Sequence, residues 1–383
     1  MNFAKLNTFC AFNIKDDVIL TDFYCCGESE NPADYYSDIV NTLLTSGQTL
    51  GEYFHDLLVY SESPVVAKCA QKHSPAAVKA MEYDLSIIKE LVSLTTKQLK
   101  EQLSDNEILS TMPDYDNGSF DYNAEYFLDY AKKNGTGIFA KYRAFAFDGE
   151  LKPISKPDAI TLADLKYYKI QRDQVIENTL CFLHNQPAQN VLLYGDRGTG
   201  KSSTVKAIFN EFKELRMVEV SRNDINALPA LFEKLGRVNM KFIVTIDDLS
   251  FGENDDRFGI LKAVLEGSLA SRPENILIYA TTNRRKIIRE TAADREISGS
   301  DAIDESMSLS DRFGLFVTFL KPDKQGYQDI VKQLAIDKGI DIPDERLFAA
   351  AERFSVRRGG RSPRIAKQFI DWLKGRIELN LEY

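Results

Sequence analysis

The sequence predicts an α/β fold: a largely parallel sheet with helices on both faces, preceded by a mostly helical region and followed by a helical tail. Three observations carry this. From about residue 151, short β-rich runs alternate with helical runs, the pattern of strands joined by helical crossovers. One of the junctions holds a glycine-rich segment, Gly195-Asp-Arg-Gly-Thr-Gly-Lys-Ser202, between an apolar run and an amphipathic one. After Pro322 the helical pattern continues to the end with no strand signal.

Taken in order, residues 1–150 read as the helical region. Tyr35, Tyr36, Ile39, Val40, Leu43 and Leu44 recur at helical spacing, as do Leu85, Ile88, Leu91, Val92 and Leu99. The stretch 104–123 carries Asp, Asn, Ser, Pro and Gly and reads as a loop or linker. An aromatic cluster follows, from Phe120, Tyr122, Tyr126, Phe127 and Tyr130 to Phe139, Tyr142, Phe145 and Phe147. Aromatics near lysines can stack on bases, but the local charge is acidic and packing is the better reading. Residues 151–321 form the α/β core, with strands expected at Val191–Tyr194, Arg216–Val220, Phe242–Ile246, Ile276–Ala280 and Leu315–Phe319. Between the first two, Lys201–Phe212 places Val205, Ile208, Phe209 and Phe212 on one helical face. Residues 322–383 form a small helical domain.

Charge separates the regions. The net charge is −9, yet residues 1–150 hold 23 acidic against 12 basic side chains, and the remainder is close to neutral. The acidic part should be repelled by nucleic acid, whereas a local basic patch is open to the rest. No apolar run is long enough to span a membrane. Five cysteines, no secretory signal pattern and no ligand spacing among cysteines and histidines favour reduced thiols, a cytoplasmic address and no structural metal.

The chemistry lies in the core. Gly195, Asp196, Arg197, Gly198, Thr199, Gly200, Lys201 and Ser202 fit the G-x-x-x-x-G-K-[ST] pattern, with the strand Asn190–Tyr194 before it and a helix after it. Glycines let successive N–H groups turn toward phosphate oxygens, and the helix N-terminus adds partial positive charge. Lys201 should reach the β- and γ-phosphates of a nucleotide, and the Ser202 hydroxyl should ligate Mg²⁺. The apolar strand 241–246 ends in Asp247 and Asp248. Asp247 is the candidate for holding the Mg²⁺ hydration shell, and Asp248 for the general base on water. A strand end capped by Asp is the plainer alternative. Asn283 closes the next apolar strand and could bond the lytic water or the γ-phosphate. Arg312, in Leu309-Ser-Asp-Arg-Phe-Gly314, could act on a neighbour's γ-phosphate; a surface pair with Asp311 is the alternative. In Arg357-Arg-Gly-Gly-Arg-Ser-Pro-Arg364, Pro363 suits a first helical turn and Arg364 could reach back to the nucleotide, although a solvated basic turn fits equally.

The order of these elements resembles the AAA+ ATPases, and more narrowly the bacterial family called domain of unknown function 815. The carriers are Asn190-Val-Leu-Leu-Tyr-Gly-Asp-Arg-Gly-Thr-Gly-Lys-Ser-Ser203, Ile246-Asp-Asp-Leu-Ser-Phe251, Tyr279-Ala-Thr-Thr-Asn-Arg-Arg285 and Leu309-Ser-Asp-Arg-Phe-Gly-Leu315. Leu261-Lys-Ala-Val-Leu-Glu-Gly267 and Arg272-Pro273 are similar too. The resemblance implies a P-loop NTPase core with a C-terminal helical lid, binding ATP and Mg²⁺. It implies that Lys201, Ser202 and Ser203 belong to Walker A, Asp247 to Walker B, Asn283 to sensor 1, Arg312 to an arginine finger and Arg364 to sensor 2. The segment 160–170 resembles the region lining the adenine. Homo-oligomerisation is implied as well. Two departures stand out. Many relatives have Asp-Glu where this chain has Asp247-Asp248, one methylene shorter. Ser362-Pro-Arg364 replaces an expected Ser-Gly-Arg, so Arg361 rivals Arg364.

The expected function is therefore a Mg²⁺-dependent ATPase that remodels a partner held by the N-terminal region. A slow or non-hydrolysing ATP-controlled switch is one alternative. A nucleic-acid loader is another, kept open by the arginines near 284–289 and 357–364 but disfavoured by charge.

Overall fold

The computed structural model describes residues 1–103, 107–251, 255–266, 273–283, 312–379 and 381. It divides into two compact units, Met1–Arg143 and Ala144–Tyr383.

The first unit is helical. Its longer helices are Val18–Glu28, Pro32–Ser46, Leu50–Tyr60, Pro75–Ser93 and Ala124–Asn134. Several start on side-chain caps that satisfy N–H groups the helix itself cannot: Asp17 accepts from Leu20 N–H, and Thr49 and Glu52 form a reciprocal capping box. The periodic apolar residues fill one core. Tyr36, Ile39, Val40, Leu43, Leu85, Ile88, Leu91 and Leu99 are buried, whereas Leu44 faces solvent. The stretch expected as a loop or linker is not a spacer. It contains a short helix, Glu107–Thr111, and then runs against the core, burying Tyr115 and Phe120. Its backbone accepts from Leu50 and Gly51, and the Asn117 amide donates to the Val92 and Leu94 carbonyls.

The second unit is built on a seven-stranded sheet. The strands are β1 (Ala144–Phe147), β2 (Leu151–Ile154), β3 (Val191–Gly195), β4 (Leu215–Val220), β5 (Lys241–Ile246), β6 (Ile276–Thr282) and β7 (Leu315–Phe319), in the order β2-β1-β4-β5-β6-β3-β7. All neighbours pair in parallel except β1 with β2. The five strands expected from apolar runs are present. β1 and β2 lie outside the expected strands: Phe145 and Phe147 read as the end of an aromatic packing cluster. They belong instead to a strand paired with β4, and so the units divide after Arg143 and not near residue 150. The alternation Ala-Phe-Ala-Phe is the period-two signal of a strand.

Both faces of the sheet are covered, as a parallel sheet requires. Val191, Leu193, Met217, Ile243, Leu277 and Val317 pack with Val175 and Phe182 of the helix Lys169–Leu183 and Val205, Ile208 and Phe209 of the helix Lys201–Glu211. The alternate residues Leu192, Val218, Phe242, Val244, Ile276 and Ile278 are buried as well. After β7 the chain is helical, as expected, and among the described residues it forms the helices Lys324–Asp337, Asp344–Arg357 and Pro363–Glu378, around their own core of Tyr327, Ile330, Leu347, Phe369 and Leu373. Tyr167 packs on this core and on the sheet core alike. Among the described residues, no helix is long and apolar enough to cross a membrane.

Candidate nucleotide site

The strand order decides where the chemistry gathers. β6 lies between β5 and β3, so the ends of all three meet at the carboxyl edge of the sheet, where open α/β folds bind ligands. The loop leaving β3 turns through Gly195, Gly198 and Gly200, all with positive φ. Glycine is required at Gly195: a Cβ there would stand 2.1 Å from the Phe319 carbonyl oxygen of β7. The loop enters the helix Lys201–Glu211, so that helix presents its unpaired N–H groups at the same place.

Five of the expected side chains are joined by hydrogen bonds. Lys201 is buried, and its Nζ donates to the carbonyls of Gly195 (2.9 Å) and Asp196 (2.8 Å) and to Asn283 Oδ1 (3.0 Å). Ser202 Oγ donates to Asp247 Oδ1 at 2.6 Å. Asn283 Nδ2 donates to Asp248 Oδ1 at 2.6 Å, so Asn283 bridges the lysine and the second carboxylate. Burial pushes the Lys201 ammonium below the ordinary lysine value, with Arg364 adding to that shift and Asp196, Asp247 and Asp248 opposing it. Asp248 adopts a left-handed backbone, φ 51°, uncommon for a residue other than glycine.

The loop is also tied to the helical tail. Asp196 accepts from the Lys321 N–H (2.8 Å), just beyond β7. Arg364 N–H donates to the Gly198 carbonyl (3.1 Å), and the Ser362 side chain lies close against Gly198. Between loop and tail opens a cavity of about 800 Å³ lined by Asp196, Arg197, Gly198, Asp248, Asn283, Lys321, Arg358 and Arg364, among others. Lys201 sits one hydrogen bond behind Asn283. Thr199 is buried in the loop, its hydroxyl donating to the Asp196 carbonyl, and Ser203 lies in the helix after it.

The remaining candidates fall apart. Arg312 pairs with Glu266 at 3.0 Å and does not line the cavity. Residues 309–311, with Asp311, lie outside the described residues, as do 284–289. Arg361, the rival of Arg364, is held by both Glu352 oxygens within the helical tail. Arg358, by contrast, lines the cavity with its guanidinium over the Phe354 ring. The segment 160–170 and Asp158 just before it brace the helix Lys201–Glu211, since Asn210 donates to the Asp158 and Ile160 carbonyls, but the segment contributes nothing to the cavity lining. Sequence reasoning passed over Thr281 and Lys321. Thr281 donates to Asp247 and accepts from the Asp248 N–H. The signal for Thr281 is strand register, which pairs Ile246 with Ala280 and so sets Thr281 beside Asp247.

The donor set suits a nucleotide with a hard cation: left-handed glycines and a helix N-terminus for phosphate, a buried ammonium, and a hydroxyl and a carboxylate 2.6 Å apart.

The chain is similar to several known proteins. The cell division cycle protein 48 homolog of Archaeoglobus fulgidus is 25% identical over 181 residues, covering 42% of this chain and 22% of that protein. The magnesium-chelatase subunit ChlI of Olisthodiscus luteus is 36% identical over 87 residues, covering 22% of this chain and 25% of that protein. The match thus spans a quarter or less of these relatives' lengths. The Thermotoga maritima RuvB Holliday junction branch migration motor superposes with a TM-score of 0.42 at 15% identity, over 58% of this chain and 66% of that one. A family model described as "Protein of unknown function (DUF815)" matches residues 138–377, well over half of the chain. With a glycine loop at the carboxyl edge of a parallel sheet and a helical tail bonded to that loop, the chain belongs to the DUF815 family.

Proposed function

We propose that the protein is a Mg²⁺-dependent ATPase of the cytoplasm, active as a homo-oligomer, that couples hydrolysis to a change in a protein partner held by the first unit. The observation that carries this is the bonded set Lys201–Asn283–Asp248 beside Ser202–Asp247. ATP supplies the phosphoanhydride, and Mg²⁺ neutralises charge on its phosphates. Lys201 and the loop amides bind and orient the phosphates. Ser202 and Asp247 hold the cation with its water. Asp248 takes a proton from the attacking water, and Asn283 fixes the orientation of that carboxylate. Arg364 reaches the phosphates from the lid. Arg312, exchanged from Glu266 to a neighbouring subunit's site, stabilises the charge that develops on the transferred phosphoryl group.

One observation favours slower turnover. The short Asp248 side chain is already engaged by Asn283 and stands on a left-handed residue. A nucleotide switch with slow hydrolysis is the second reading. Of the basic run 357–364, Arg361, Arg358 and Arg364 have partners or line the cavity, which leaves little of it for nucleic acid.

The test is phosphate release from Mg²⁺–ATP over a range of protein concentrations, with Lys201→Ala and Arg312→Ala. Specific activity that rises with concentration and is lost in both variants supports the ATPase. Nucleotide binding without release above the Lys201→Ala background gives the switch.

A further inference from the structure

We infer that Thr281 is a positioning residue, one hydroxyl that sets both carboxylates of the site and thereby links nucleotide affinity to Mg²⁺. The inference rests on the nucleotide-site reading above but not on hydrolysis.

Thr281 is 5% exposed, on β6 beside the end of β5. A hydroxyl carries one proton and two acceptor lone pairs, and here it uses both capacities. It donates to Asp247 Oδ1 and accepts from the Asp248 N–H at 3.1 Å. The Thr281 carbonyl then accepts from the Leu249 N–H at 2.7 Å. The chain leaving β5 is thus pinned at three successive residues by one residue of β6. This accounts for the left-handed turn at Asp248: its N–H is committed to the hydroxyl, while its carboxylate is aimed at Asn283.

Asp247 shows what the pinning achieves. Ser202 and Thr281 both donate to the same oxygen, Oδ1. Among the described residues, Oδ2 receives no hydrogen bond. The carboxylate is therefore fixed by two hydroxyls at one oxygen and presents the other for the hydration shell of a cation. When Ser202 turns to ligate a cation, Thr281 is the partner that remains to hold the carboxylate. Thr282, next along the strand, cannot substitute, because adjacent strand residues point to opposite faces.

The test is a binding titration of the full chain with ATP and with ADP, in Mg²⁺ and in EDTA, for wild type, Thr281→Val and Thr281→Ser. Valine keeps the branched shape and removes the hydroxyl; serine keeps the hydroxyl. The expected result is that Mg²⁺ tightens ATP binding to wild type and to Thr281→Ser. In Thr281→Val most of that gain is lost, a weakening on the order of tenfold or more in Mg²⁺, while affinity in EDTA stays within about threefold of wild type. Unchanged EDTA affinity serves as the control for folding. A Thr281→Val variant that keeps the full Mg²⁺ gain overturns the positioning role and leaves the nucleotide site standing. One that loses affinity equally in Mg²⁺ and EDTA, with serine failing to rescue it, shows a merely structural residue and also overturns it. A wild type that binds no nucleotide overturns the underlying reading, and this role with it.

Discussion

At the scale of single residues, the proposed nucleotide site carries a charged group whose burial opposes stability. Lys201 is buried beside carbonyls and carboxylates, and its ammonium is pushed below the ordinary lysine value mainly by burial. A lysine with a depressed folded pKa is less favourably charged in the folded than in the unfolded chain, so this group costs stability at neutral pH, and the cost fades as pH rises from the depressed value toward the ordinary one. Lys201→Met should hold or raise the melting temperature without nucleotide and abolish the rise that Mg²⁺–ATP gives wild type; thermal melts with and without nucleotide decide it. Asp22 gives a second pH signature, in the first unit. It is buried, its Oδ2 finds no hydrogen-bond partner among the described residues, and burial, with Asp38 and Asp17 nearby, raises its carboxyl to about 6. Because the folded pKa lies above the unfolded one, the carboxylate destabilises the unit fully above that value and the penalty disappears as pH falls toward 4. The melting temperature of the first unit should rise by a few degrees between pH 8 and pH 5, and Asp22→Asn should flatten that rise. An Asn variant with the wild-type pH slope would refute the assignment.

At the scale of elements, the two arginines of the lid separate cleanly. Arg361 joins the turn before the last helix to Glu352 of the previous helix, whereas Arg364 faces the cavity. Arg361→Ala should lower the stability of the lid by about 1 kcal/mol and leave nucleotide affinity nearly unchanged; Arg364→Ala should do the reverse, with affinity or turnover falling about tenfold or more. Denaturation and nucleotide titration on the same two variants check both. Gly195→Ala tests the junction of β3 with β7, where the new methyl meets the Phe319 carbonyl; a loss of roughly 1–3 kcal/mol, visible in urea melts, is expected. Much of this was legible in the sequence. The strands that carry Gly195, Asp247 and Asn283 announce themselves as apolar runs ending in polar residues, because central parallel strands are buried on both faces. β1 was not legible, since its partner β4 lies some seventy positions away and local periodicity says nothing of such pairing. The same holds for Thr281, whose role depends on register, and for Arg361, whose partner is fixed by helix packing in the lid.

At the scale of the whole molecule, the separation of Lys201 from Arg312 makes a prediction about assembly. Arg312 lies outside its own chain's cavity lining and is paired with Glu266. If sites are completed between subunits, Lys201→Ala and Arg312→Ala are each inactive alone but together restore partial ATPase activity. In the mixture, an Arg312→Ala subunit keeps its own Lys201 and receives Arg312 from its Lys201→Ala neighbour. Mixing the two purified variants and measuring phosphate release is the check; a mixture no more active than its parts would place the finger elsewhere. The acidic first unit adds a requirement on any partner, which should carry complementary basic charge and bind less tightly as salt rises.

The bond from Arg364 N–H to the Gly198 carbonyl has a further use. Amides in the first turn of a helix have no partner within the helix and ordinarily exchange with solvent at once. Here one of them is shielded only because the lid rests on the phosphate loop. Its uptake of deuterium is therefore a built-in gauge of docking, which reports each release of the lid without any label being attached.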